Sequence, residues 1–195
     1  EKILLAAHWD TRPFAENDVN PEKRDIPIIG ANDGASGVAV LLEVAKILKS
    51  NPPENEIFIV LFDGEDYGKS LGEMFLGSRY FARNMEQWKP DYGILLDMIG
   101  DKELDLPIEQ ISFRAAPDLT QKVWQTAIDL GLRAFHTQLG PAVMDDHVPL
   151  IEAGVPCIDI IDFDYPYWHT TEDTPDKCSA ESLGTIGKLI LALIY

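Results

Sequence analysis

Four short apolar runs limit what this chain can fold into. They lie at Lys2 to Ala7, Glu56 to Phe62, Tyr92 to Leu96 and Val155 to Ile161. Each is strand-length and apolar throughout rather than alternating, the pattern of strands buried on both faces of a parallel sheet. Amphipathic segments alternate with them. Val38, Leu41, Leu42, Ala45 and Leu48 follow the three-and-four spacing of a helix from Gly34 to about Ser50, stopped by Asn51-Pro52-Pro53. Further helices are expected over Met74 to Met85, over Asp118 to Leu130 between Pro117 and Gly131, and over Ser179 to Tyr195 with Ser179 as cap. Weaker strands are expected at Gln110 to Arg114 and Ala134 to Gln138. The sum is one α/β domain over residues 1–195, with a mixed, mostly parallel central sheet covered by helices on both faces.

In such sheets the ligand site lies beyond the carboxyl ends of the strands. The chain's acids and histidines fall there. His8 follows the first run, Glu65 and Asp66 the second, Asp97 the third and His169 the last. Asp33, inside Gly30-Ala31-Asn32-Asp33-Gly34-Ala35-Ser36-Gly37, opens the first helix on the same rim. Taken singly, each has an ordinary structural explanation: Asp33 an N-cap, Asp97 a turn cap, Glu65 and Asp66 solvated loop acids, His8 and His169 packed histidines. Their joint placement on one edge is what a catalytic zinc site requires, since zinc takes carboxylate oxygen and imidazole nitrogen and leaves a position open.

Composition narrows the partners. The formal net charge of −17 leaves no basic stripe for a nucleic acid, and suits a metal ion or a peptide amino group. No apolar run approaches the roughly 18 residues of a membrane span. Cys157 and Cys178 form no metal-binding pair and are expected as free thiols. The chain opens at Glu1 directly into a strand-like run, as expected of a domain trimmed at its N-terminus.

Six ordered motifs carry a resemblance. They are His8-Trp9-Asp10-Thr11, Asn32-Asp33-Gly34-Ala35-Ser36-Gly37, Phe62-Asp63-Gly64-Glu65-Asp66, Leu96-Asp97-Met98-Ile99-Gly100, Asp145-Asp146-His147 and Trp168-His169-Thr170. In order, they resemble those of metallopeptidase family twenty-eight and its glutaminyl cyclase relatives. The resemblance implies a zinc exopeptidase-like fold, peptide or protein N-termini as substrate, and a secreted or periplasmic setting. In the cyclases one zinc is held at the positions matching Asp33, Asp66 and His169. There Glu65 shuttles a proton and Asp97 and Asp145 belong to a hydrogen-bonded network. In the aminopeptidases two zincs share the bridging Asp33, with His8 and Asp97 completing the second site and Glu65 as general base.

Trp168 directly before His169, Tyr165-Pro166, and Asp145-Asp146-His147-Val148-Pro149 look more like the cyclase version, with Trp168 and Tyr165 as substrate-binding aromatics. The Glu65-Asp66-Tyr67-Gly68 run resembles bacterial members of the animal-type cyclases, whereas aminopeptidases more often carry Glu-Glu there. Asp159 stands where animal cyclases have a histidine. The resemblance therefore implies a glutaminyl-peptide cyclotransferase with one zinc, and as alternative a two-zinc aminopeptidase. A third reading, a catalytically silent binding domain of this fold, is less favoured, since such relatives usually lose ligand positions and none is lost here.

Overall fold

A computed structural model describes residues 1–195. Four strands, β1 (Lys2–His8), β2 (Glu56–Phe62), β3 (Tyr92–Asp97) and β6 (Cys157–Ile161), form one sheet in the order β2-β1-β3-β6. Every pair in it is parallel. A separate parallel pair joins β4 (Leu106–Ile108) to β5 (Phe135–Leu139).

The pleat sends alternate residues to opposite faces. Ile3, Leu5, Ile94, Leu96, Ile158 and Ile160 point into the larger core, with α1 (Ala35–Ser50), α4 (Pro117–Asp129) and α6 (Ala180–Ile194). Leu4, Ala6, Leu95 and Cys157 point the other way. They meet Phe81 of α2 (Leu76–Asn84) and Leu150 of α5 (His147–Glu152). Burial on both faces is why β1, β3 and β6 carry no polar alternation, while the edge strand β2 is only partly covered. At Gly37 an added Cβ would meet Leu96 O at 2.3 Å, so only glycine lets α1 lie this close to the sheet.

Two short elements, β4 and α5, have no counterpart among the expected ones, each containing a proline that masks its pattern. One expectation is corrected. Gln110 to Arg114 is not a strand but part of α3 (Gln110–Ala115). Ile111 and Phe113 alternate with polar residues as in a strand, but the Glu109 carboxylate caps the Ile111 and Ser112 N–H groups and starts a helix. Both cysteines are free thiols. No helix is long and apolar enough to cross a membrane.

Candidate metal centre

β1 ends at His8 and β3 at Asp97, and these neighbouring parallel strands deliver both side chains to the same edge. His8 Nε2 lies 3.1 Å from Asp97 Oδ1 and 3.3 Å from Asp33 Oδ1. The other oxygen of Asp33 is 3.5 Å from His169 Nε2, which is 3.3 Å from Asp66 Oδ1. Asp33 thus stands between two imidazoles, one oxygen turned to each. All five side chains are buried.

The Asp33 turn is held on several sides. Gly34, not Asp33, is the N-cap residue of α1, at φ +92°, and no side chain caps the helix. Asp33 is therefore not the cap that its position before the helix suggested, and its carboxylate is free to face the histidines. Any Cβ at Gly34 would press on His8 Cε1 at 2.9 Å. Asp173 accepts the Asn32 and Asp33 backbone N–H groups at 2.9 and 3.1 Å. Asn32 Oδ1 accepts from Gly100 N at 2.7 Å, tying this turn to the segment after β3.

The neighbouring loops are fixed in the same way. Asp10 accepts the backbone N–H groups of Glu65 and Asp66 at 3.2 and 3.1 Å. Glu16 Oε1 lies 3.1 Å from His169 Nδ1 and accepts from Arg12. Arg12 in turn donates to the Asp66 and Gly68 carbonyls. The Glu16 carboxylate behind His169 orients that ring and sets which nitrogen faces the centre. His169 adopts φ +53°, a left-handed conformation that costs a non-glycine residue energy and is held here by these surroundings.

Electrostatics mark the cluster as short of positive charge. Burial, then the Asp66 carboxylate, push the Asp33 carboxyl up to about 7. The same two causes raise Glu65 well above the usual carboxylate range. Burial opposes ionisation of Asp66 too, but its contact with His169 and the His169, His8 and Arg12 charges together outweigh this and hold it low. Asp33 Oδ2, Asp66 Oδ2 and His8 Nδ1 are buried without a hydrogen-bond partner, which buried polar atoms rarely tolerate. Asp33, Asp66 and His169 bring one ligand atom each within 4.8 Å of one another, as do His8, Asp33 and Asp97. Unpartnered oxygens and nitrogens in this number fit a zinc ion by donor type.

The remaining expected residues lie around this centre. Glu65 Oε2 is 3.9 Å from His8 Nδ1. Asp145 is buried, and burial together with the Asp97 charge pushes it up to about 6. The half-buried Trp168 ring lies over His169, centroids 4.2 Å apart and planes 33° apart, and Phe163 backs it at 4.9 Å. Tyr165 departs from its expected place on the pocket wall. It is 3% exposed, and its hydroxyl donates to Asp173 Oδ1 at 2.8 Å, so it braces the Asp33 turn from behind. Sequence reasoning passed over Glu16 and Asp173. Glu16 sits in the long polar stretch from Thr11 to Ile29, whose length alone marks it as functional. Asp173 carries no local signal.

A doubly covered parallel sheet with this donor set at its carboxyl edge defines the zinc exopeptidase class of α/β domain. The chain belongs to peptidase family M28, whose family model matches residues 1–194. It is similar to aminopeptidase YwaD of Bacillus subtilis, with 29% identity over 99% of this chain and 40% of that protein. Glutaminyl-peptide cyclotransferase of the snake Boiga irregularis is 26% identical over 98% of this chain and 61% of its own length. The crystal structure of Tannerella forsythia glutaminyl cyclase superposes with a TM-score of 0.96 at 39% identity, covering 100% of this chain and 73% of that one. The chain thus spans 40% and 61% of the lengths of these two curated relatives, less than two thirds of either.

Proposed function

We propose that this chain is the catalytic domain of a zinc-dependent glutaminyl-peptide cyclotransferase, closing N-terminal glutamine to pyroglutamate with release of ammonia. The observation that carries it is the Trp168 ring lying against the His169 imidazole. A cyclase must fold one short side chain back onto its own amine, and an aromatic wall beside a metal ligand restricts the glutamine stem to that bend. The likeness to the T. forsythia cyclase supports the same choice. Substrates on this reading are peptide or protein N-termini, and the setting is secreted or periplasmic.

Asp33, Asp66 and His169 would hold one zinc. When bound, it would supply Lewis acidity to the γ-carbonyl of the substrate glutamine. The chain's own residues do the rest. Trp168 orients the side chain. Glu65 accepts a proton from the α-amine as its nitrogen bonds to the carbonyl carbon of the side-chain amide, and returns a proton to the amide nitrogen, whose bond to that carbon breaks and which leaves as ammonia. A carboxyl that burial raises well above the usual range is suited to give the proton back as well as to take it. Asp97 and Asp145, both buried beside the centre, would steady the tetrahedral intermediate through its proton.

One observation favours the second reading, a metal aminopeptidase. Asp33 faces His8 and Asp97 with one oxygen and His169 with the other, the arrangement a bridging carboxylate between two metals would have. Incubation with a Gln-initiated peptide separates the two. The cyclase leaves a product about 17 Da lighter and free ammonia, because an amine has displaced an amide nitrogen. Free glutamine, together with cleavage of Leu- or Ala-initiated peptides, would overturn the cyclase and leave the aminopeptidase.

A further inference from the structure

Behind the candidate centre lies a second group of buried polar side chains, which the reaction above does not use. His147, the first residue of α5, is fully buried, and neither ring nitrogen has a hydrogen-bond partner. Its Nε2 is 3.4 Å from Glu109 Oε2, and its Nδ1 is 4.0 Å from Asp159 Oδ2 on β6. Both Asp159 oxygens and Asp145 Oδ2 are likewise buried without partners. Ligand atoms of Asp145, His147 and Asp159 all lie within 4.8 Å of one another.

Glu109 is the fixed end of this group. Oε1 accepts from Ile111 N at 2.7 Å and from Val143 N at 2.9 Å. Oε2 accepts from Ser112 N at 2.6 Å and Ser112 Oγ at 2.7 Å. Val143 begins the short approach to Asp145, so the carboxylate that caps α3 also anchors the loop bearing Asp145. Ser112 Oγ accepts from Asp159 N at 2.9 Å, so the frame returns to β6. Glu109, Ser112 and Asp159 are thereby joined by hydrogen bonds, and His147 lies between the Glu109 and Asp159 carboxylates, all four residues buried. An ionised carboxylate only accepts hydrogen bonds, so the His147 edge facing Glu109 is the Nε2–H edge. The Nδ1 edge is left to meet Asp159, and Asp159 meets Asp145.

We propose that His147 and Glu109 are positioning residues for the reaction, holding Asp145 in its working orientation through Asp159. The proposal rests on the assignment of Asp145 to the catalytic network. It requires that a change at His147 be felt at Asp145 while leaving the metal ligands untouched.

The test uses His147→Gln, Glu109→Gln and Asp145→Asn, singly and with His147→Gln combined with Asp145→Asn, on the zinc-loaded chain. His147→Gln is expected to lower kcat about 10- to 100-fold, the usual reach of a residue that orients another, with KM and zinc content unchanged. That loss is expected to vanish in the Asp145→Asn background, because the residue through which His147 acts has been neutralised. Glu109→Gln is expected to act in the same direction, and carries the test should the His147 variant not fold. A second readout needs no turnover. The chain has only four histidines, so ring nitrogen resonances of a 15N-histidine-labelled sample can be assigned. Asp145→Asn should shift the His147 resonances and leave those of His136 in place.

Normal turnover in both His147→Gln and Glu109→Gln, with Asp145→Asn impaired, would overturn the positioning role and leave the cyclase assignment standing. Full turnover in Asp145→Asn would overturn the positioning role together with the assignment of Asp145 to the catalytic network, and would also leave the cyclase assignment standing. Equal losses from His147→Gln with and without Asp145→Asn would show that His147 does not act through Asp145. So would a metal ion present in the wild type and lost only on His147→Gln.

Discussion

The Tyr165 hydroxyl donates to Asp173 Oδ1 at 2.8 Å, and the Asp173 carboxylate also accepts the backbone N–H groups of Asn32 and Asp33. A tyrosine over a hundred residues away in sequence thus sets the tilt of the turn that aims Asp33. Tyr165→Phe removes one bond from that carboxylate and no ligand. Zinc affinity measured by chelator competition should fall by about tenfold, the lower end for support of a ligand from behind. KM for a Gln-initiated peptide should hardly move. An unchanged zinc affinity with a raised KM would put Tyr165 back on the pocket wall.

Trp168 should show the opposite pattern. Trp168→Ala removes orientation and spares the donors, so zinc stays bound while kcat/KM falls about 100-fold. Loss of zinc in this variant would mean that the ring's packing on His169 is needed to hold the ligand itself.

The metal ligands divide the one-zinc from the two-zinc reading. Asp33→Ala, Asp66→Ala and His169→Ala should each strip zinc or weaken it severely, since each removes one of three protein ligands. His8→Ala should leave one zinc per chain in place. Two zincs in the wild type, one of them lost in His8→Ala, would favour the aminopeptidase.

Glu65→Gln keeps the shape of the side chain and loses its basicity. Zinc content should be unchanged and turnover should drop about 10²- to 10⁴-fold, the usual contribution of a positioned proton carrier. Wild-type turnover in this variant would remove Glu65 from the mechanism.

Glu109 predicts a signature in acid stability. Burial opposes its ionisation, but the nearby His147 imidazole and hydrogen bonds from Ile111 and Ser112 together prevail and hold it at about 2, below its ordinary 4.5. A depressed carboxyl contributes stability that is present above its unfolded value and lost as pH falls through its folded one. In metal-free protein, the stability gap between wild type and Glu109→Gln should be widest above about pH 5 and narrow towards about pH 2. Urea unfolding at several pH values measures it, and a gap independent of pH would show that the ionised form is not favoured by folding.

Much of this protein was legible in its residues alone. Lys2 to Ala7, Glu56 to Phe62, Tyr92 to Leu96 and Val155 to Ile161 read as strands because a sheet covered on both faces favours apolar side chains at successive positions, and the observed strands fall there within two residues at each end. Ser179 read as a cap, and it accepts the Ser182 N–H as a cap does. The rim residues could be placed for the same reason, since a parallel sheet aligns its carboxyl ends and so the loops after them. Periodicity failed at Gln110 to Arg114 because one buried carboxylate, Glu109, overrode an alternating pattern. What the tertiary structure alone decided was the support behind the centre. Asp10, Glu16 and Asp173 act on backbone N–H groups or ring edges that no residue pattern records. Glu109, His147 and Asp159 meet from α3, α5 and β6 only once those elements pack. Local sequence encodes which face of an element is apolar. The partner of a single buried carboxylate is set by the packing of distant segments, because satisfying a buried charge depends on what arrives within about 3 Å of it.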